Sequence, residues 1–280
     1  MTLVVARRQR NGVRLLADWR LTREDGQTPS YLNGTLKAWI LHPTLCVAYA
    51  GNSYQAESAM RDLEVAPAGH VELRLILASL EQQQQRGCDA DFIVASRSEG
   101  LGLWVVRDGI ASARDEAWIG DQAAYDLYRT FLPGTPAFTA SDAPPDVTEF
   151  SSMASAFGQV LRQDQITSVG EIAIGVVHDP AGFRYMGGAT MYAPSQSVPS
   201  GQWTTLHFGT AASGGFGYEI IRAESVPAVG VHFHHGGLGA LFFPARLPAP
   251  AIYRGVTQTQ FRDSVWRDHD VRLLPDVSVG

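Results

Sequence analysis

Thr2-Leu3-Val4-Val5-Ala6-Arg7-Arg8 opens the chain, and Asn11-Gly12 separates it from Val13-Arg14-Leu15-Leu16-Ala17-Asp18. Both segments are rich in aliphatic and β-branched residues. Asn-Gly is the strongest short signal for a tight hairpin turn, so the two read as paired antiparallel strands. At the head stands a threonine directly behind Met1. A threonine gains special chemistry only as the first residue of a mature chain, when its own α-amine can activate its own hydroxyl. The unperturbed pKa of that amine is about 7.7–8.0, so a useful fraction is free base near neutral pH. The reading therefore expects Met1 to be removed.

Working outward, Leu36–Leu41 and Leu45–Ala50 read as a second hairpin across His42-Pro43, with Lys37 at its start and Gly51 just past its end. An ammonium beside a threonine hydroxyl favours its ionised form, and a carboxylate such as Asp18 would hold that ammonium in place. The Gly51 amide is suited to an oxyanion because substrate can approach a glycine backbone closely. One such donor is worth about 3–4 kcal/mol. The competing reading of the same residues is a structural Asp18–Lys37 ion pair at a strand end, with Gly51 merely closing a strand.

Thr2, Asp18, Lys37 and Gly51 together resemble the proteasome β-subunit pattern of the N-terminal nucleophile hydrolases, most closely the bacterial HslV type. Asp18 follows Thr2 by 16 residues and Gly51 follows Lys37 by 14, as that pattern requires; only the loop over Arg23–Ser30 is longer. The likeness continues through Asp91-Phe92-Ile93-Val94-Ala95, Leu103-Trp104-Val105-Val106 and Trp118-Ile119-Gly120, and ends in Asp164, Thr167, Ser168 and Gly170. It implies roles for further residues. Asp164 with Thr167 or Ser168 would support the nucleophile, and Arg20 and Thr22 would line the substrate groove. Thr22 and Gly51 would bond an extended peptide by strand addition. Tyr49 would floor the first specificity pocket, where a large ring favours a small residue. Asp121 stands where the family has the serine of a Gly-Ser-Gly loop. An aspartate there would raise the pKa of the threonine amine and weaken it as a base at neutral pH.

Composition bounds the rest. Over 280 residues, 45% are hydrophobic and 18% charged, which describes a globular chain large enough for a main domain and an appendage. The net charge of −6 and the absence of any Lys/Arg cluster beyond Arg7, Arg8 and Arg10 argue against a nucleic-acid binder. Cys46 and Cys88 cannot define a disulfide framework. No signal-peptide pattern and no long apolar run is visible, so the expectation is a cytoplasmic protein that does not enter a membrane.

Helical spacing appears at Ser53–Glu64 (Ala56, Ala59, Met60, Leu63) and at Val71–Gln85 (Leu73, Leu75, Ile76, Ala78, Leu80). The run Gln82–Gln85 reads as a polar helix end. Strands follow at Phe92–Ser96 and Leu103–Arg107, a helix at Gln122–Thr130, a loop at Pro133–Pro145 and a helix at Phe150–Arg162. Strands return at Glu171–His178 and Phe183–Met186. This order implies an α+β protein with mostly antiparallel sheets. The resemblance sharpens it to a four-layer αββα sandwich over residues 1–190.

Residues 191–280 read as a C-terminal β-rich extension: an added sheet edge, a cap over the site or an assembly surface. Strands are expected at Thr204–Phe208, Tyr218–Ile221, Val229–His235 and Leu238–Phe243, and no strong period after Pro250. His232 and His234 fall on one strand face and His235 follows. A metal held with His178 or Glu224 is the less favoured reading, behind a half-exposed strand with polar residues on one face. Gly214-Gly215-Phe216-Gly217 lacks the lysine and helix of a phosphate loop.

These features, with the resemblance, imply a threonine peptidase that needs no cofactor, acts on peptide or protein substrate and assembles as a homo-oligomeric ring, with an ATP-dependent unfoldase as a possible partner. The alternatives are a catalytically silent proteasome-like assembly or binding protein, and an amidohydrolase for small amides.

Overall fold

The computed structural model describes residues 2–9, 12–19, 34–63, 65, 71–134, 145–163, 166, 169, 172–191, 217–234 and 236–274. The chain divides into two compact units, Met1–Arg184 and Tyr185–Gly280. The first contains β1 (Leu3–Gln9), β2 (Gly12–Asp18), β3 (Ala38–His42), β4 (Leu45–Gly51), α1 (Ser53–Arg61), α2 (Leu73–Gln85), β5 (Ala90–Ser96), β6 (Gly102–Arg107), β7 (Ile110–Ala113), β8 (Glu116–Gly120), α3 (Gln122–Phe131), α4 (Pro145–Leu161) and β9 (Ala173–Asp179), and β10 (Gly182–Tyr185) ends at its border. The second contains β11 (Gly188–Met191), β12 (Gly217–Arg222), β13 (Val229–Phe233), β14 (Leu238–Phe242), β15 (Ala251–Tyr253) and α5 (Gln258–His269).

Two sheets build the first unit, ordered β10-β9-β2-β1-β8 and β3-β4-β5-β6-β7. The opening hairpin forms as its sequence predicts, with Val4 opposite Ala17 and Arg7 opposite Arg14. Alternation along β1 sends Leu3 and Val5 to one side, where they pack with Leu16, Tyr125, Tyr128, Met153 and Phe157 under α3 and α4. On its other side β1 meets β4 and β6, and β8 meets β4, β5 and β6. Helices α1 and α2 lie against the second sheet, on β4, β5, β6 and β7. The unit is α+β, and every registered strand pair in it is antiparallel.

Two details depart from the sequence expectation and one adds to it. Leu75 on α2 is 62% exposed, because Leu73, Ile76 and Leu80 alone share the buried face. The glutamine run ends α2 as expected and also anchors it. The Gln84 side chain donates to the carbonyls of Ala90 and Val106 and accepts from Gly109 N, clamping α2 to β5 and the β6–β7 turn. Helix α4 starts at Pro145, inside the expected loop; proline suits a first helical turn, where its missing N–H leaves no bond unmade.

In the second unit β11-β12-β13-β14-β15 form one antiparallel sheet in sequence order. The pairing of β11 with β12 moves the unit border to Arg184/Tyr185, earlier than the expected 190/191. An unexpected helix, α5, follows the sheet. Its Phe261 and Val265 pack with Ile221, Leu241 and Leu273, and a capping box of Thr257 and Gln260 starts it. The extension is therefore a sheet with a helix, not strands alone. The strand expected at Thr204–Phe208 lies outside the described residues. No helix among the described residues is long and apolar enough to cross a membrane.

Candidate active site

Thr2 precedes β1, and Asp18 ends β2, its hairpin partner, so strand pairing alone brings them together. Thr2 Oγ1 donates to Asp18 Oδ1 at 2.5 Å, and the Leu3 amide donates to the same oxygen at 2.9 Å. Lys37 arrives from the other sheet, just before β3. Its Nζ donates to Thr2 Oγ1 and to Asp18 Oδ1 and Oδ2 at 3.1 and 3.0 Å. Thr2, Asp18 and Lys37 are 2%, 1% and 4% exposed. A buried ammonium and a buried carboxylate at this spacing satisfy each other. The hydroxyl lies between them, next to a positive charge that stabilises it when it loses its proton.

Lys37 is also the only lysine among the chain's 22 lysine and arginine residues. That signal lay in the sequence and went unread. Elsewhere this chain uses the planar, always-charged guanidinium; here alone it carries a compact ammonium, whose three donors can reach a hydroxyl and both oxygens of one carboxylate.

Gly51 closes β4 with φ +116, a conformation that favours glycine. A Cβ there would sit 2.5 Å from the Asp89 carbonyl oxygen. Gly120 closes β8 with φ +103, and a Cβ on it would run into the Thr2 carbonyl oxygen and lie 3.3 Å from the Ala50 Cβ. The end of β8 thus abuts the Thr2 backbone, and Ala50, next to Gly51 in β4, lies beside Gly120. The Asp121 amide donates to the Thr2 carbonyl at 2.7 Å. The Asp121 carboxylate accepts from Ala124 N at 2.9 Å as the N-cap of α3. Asp121 therefore has a structural task, tying the start of α3 to the Thr2 backbone.

Tyr49 is buried in β4, and its hydroxyl donates to Glu57 Oε1 at 3.1 Å. Burial first, and then the Glu57 charge, hold that phenol well above its usual pKa. Thr35 Oγ1 donates to the same Glu57 oxygen at 2.8 Å. Sequence reading missed Glu57; its one visible mark was Arg61 four residues on, with which it pairs at 3.3 Å. Arg20, Thr22, Asp164, Thr167 and Ser168 lie outside the described residues.

In the second unit, His232 bonds the Val256 carbonyl through Nε2 at 2.9 Å and stacks on Phe261. Its ring is 5.5 Å from that of His234, and Glu219 stands opposite it on β12. Burial lowers the pKa of both histidines. No group of three metal-ligating side chains forms among the described residues. Glu224, one donor considered for such a site, pairs with Arg272; His235 and Gly214–Phe216 lie outside the described residues. Compared with known proteins, the chain matches no family model and no curated protein.

Proposed function

We propose that this chain is a proteasome-like threonine hydrolase in which Thr2, freed by loss of Met1, cleaves peptide or amide bonds. The observation that carries this reading is the convergence of Lys37 Nζ and Asp18 on Thr2 Oγ1 in a buried site. The reading takes the first unit as a four-layer αββα sandwich. Supporting this are α3 and α4 on one sheet, α1 and α2 on the other, and contacts between the two sheets.

The chemistry balances with residues of this chain and water. The Thr2 α-amine takes the proton from Oγ1 as the oxygen attacks the substrate carbonyl carbon. Lys37 steadies the developing alkoxide, and the Gly51 amide donates to the oxyanion. The C–N bond breaks, the leaving amine takes the proton from the α-ammonium, and an ester remains on Thr2. Water, deprotonated by the same amine, then attacks the ester carbon; the bond to Thr2 Oγ1 breaks, Oγ1 takes the proton back from the α-ammonium, and the acid is released. Asp18 orients Lys37 and the Thr2 hydroxyl through its hydrogen bonds to both.

In the same reading the protein is cytoplasmic and forms homo-oligomeric rings that shelter the sites, with an ATP-dependent unfoldase as the partner that would feed them folded substrates. Intact mass of the cell-derived protein tests the core of it. A mass lacking one methionine is expected; a retained methionine blocks the amine and leaves the catalytically silent reading. Native mass spectrometry tests the ring, and a strict monomer at micromolar concentration would remove it. Activity on small amides but not on peptides would select the amidohydrolase.

A further inference from the structure

We propose that Glu57, on α1, is a positioning residue that sets Lys37 against Thr2; this inference rests on the reading of Thr2 as the nucleophile. Lys37 lies in Thr35-Leu36-Lys37, a short segment between the bridge at Gly34 and β3, so strand pairing does not by itself fix it. Backbone bonds hold this segment at Thr35 N, which donates to the Trp19 carbonyl at 2.9 Å, and at the Lys37 carbonyl; the side-chain restraints around it lead to Glu57. Thr35 Oγ1 donates to Glu57 Oε1 at 2.8 Å. Tyr49, whose amide donates to the Lys37 carbonyl at 3.0 Å, places its hydroxyl 3.1 Å from the same Glu57 oxygen. On the other carboxylate oxygen, Arg61 pairs at 3.3 Å and lays its guanidinium over the Trp39 ring at 5.2 Å. Trp39 in turn donates from Nε1 to the Leu36 carbonyl at 2.7 Å.

The circuit closes around the lysine: Thr35 and Leu36 before it and Tyr49 beside it all answer to one carboxylate. Thr2 and Asp18 belong to one sheet and Lys37 to the entry of the other, so the ammonium's position depends on how firmly that entry is held. Small displacements of a catalytic group are costly; about 1 Å can lose on the order of 100-fold in rate. Glutamine keeps a side-chain carbonyl that accepts from both hydroxyls and gives up only the charge facing Arg61. Alanine removes the hub.

Two readouts test this separately from the catalytic reading. The first is the rate at which a peptidyl β-lactone labels Thr2, followed by intact mass. Glu57→Ala is expected to slow labelling by about 10- to 100-fold, and Glu57→Gln to restore most of the rate. The second is NMR of protein labelled with ¹³C at lysine Cε, which gives one signal because the chain has one lysine. That signal should shift in Glu57→Ala and stay near its wild-type position in Glu57→Gln.

If Glu57→Ala fails to fold, Thr35→Val and Tyr49→Phe each remove one hydroxyl donor and should move both readouts partway. A folded Glu57→Ala that labels at the wild-type rate overturns the proposal, as does equal loss in the alanine and glutamine variants. A change confined to substrate affinity, with β-lactone labelling unaffected, also overturns it. If the wild type never labels, the nucleophile reading fails, and the lysine signal alone decides whether Glu57 positions Lys37.

Discussion

The two units bury polar clusters of opposite design. In the first, Thr2, Asp18 and Lys37 are charged or strongly polar and bond one another reciprocally. In the second, His232 makes one bond to the Val256 carbonyl, leaves Nδ1 buried without a partner, and presents its ring to Phe261. His234 likewise buries an unbonded Nδ1. A neutral imidazole tolerates such surroundings; an ammonium or a carboxylate would not. The contrast separates a cluster of paired charges around a hydroxyl from one whose imidazoles are pushed by burial toward the neutral form and pack against an aromatic ring. Burial of polar groups alone therefore does not distinguish the two clusters; reciprocal bonding around the Thr2 hydroxyl does.

The sharpest way to break that contrast is Thr2→Ala. Hydrolysis and covalent labelling should vanish with little loss of stability, since Asp18 and Lys37 keep each other; residual labelling at another residue would remove Thr2 from its role. Lys37→Ala should cost about 3–5 kcal/mol in denaturant unfolding, because it strands a buried aspartate. Gly120→Ala should follow at about 1–3 kcal/mol, from forcing a side chain into a positive-φ position against the Thr2 carbonyl. Labelling should fall with it as the β8 end moves off Thr2. Asp121→Ala removes the α3 cap and should cost about 0.5–2 kcal/mol, with Asp121→Asn recovering most of that in the same unfolding assay.

The smallest effect belongs to the histidines. Their folded pKa values lie below the usual imidazole value of about 6.5. The unfolded chain thus binds more protons as the solution becomes acidic. The stability they contribute is complete above about pH 6.5 and is lost as pH falls through the folded values. Amide protection factors over residues 217–274, which take out the intrinsic pH dependence of exchange, should fall on acidification, and His232→Phe should blunt the change. An unaltered pH dependence in that variant would mean other groups govern it.

Much of the first unit was legible because its information is local. Asn11-Gly12 and two apolar runs give the hairpin that joins Thr2 to Asp18, and the run ending at Gly51 gives β4. Lys37 was read as a site residue, but that it is the chain's one lysine was equally plain and was passed over. Glu57 was barely legible: Arg61 one turn on along α1 was its one local mark, while Thr35 and Tyr49 come from segments that only packing brings to it. Helix α5 was missed for another reason: only Phe261 and Val265 of its residues are buried, too few to show a period, although Thr257-x-x-Gln260 announced its start. Leu75 shows the converse error, since an apolar residue at near-helical spacing still faces outward when a narrower stripe suffices for the core.

The central claim is that Lys37 and Asp18 are there for Thr2 and not only for each other. It is tested most directly in the double variant Asp18→Asn, Lys37→Met. Asparagine keeps an oxygen for the Thr2 hydroxyl and the Leu3 amide, and methionine fills the lysine's path without charge, so much of the stability lost in Lys37→Ala should return. Wild type and double variant are incubated with the same peptidyl β-lactone, and intact mass and peptide mapping read the adduct, with thermal unfolding on the same samples. The account predicts a wild type that has lost Met1 and carries one adduct on Thr2, and a folded double variant that carries none. A folded double variant labelled on Thr2 at the wild-type rate would contradict it.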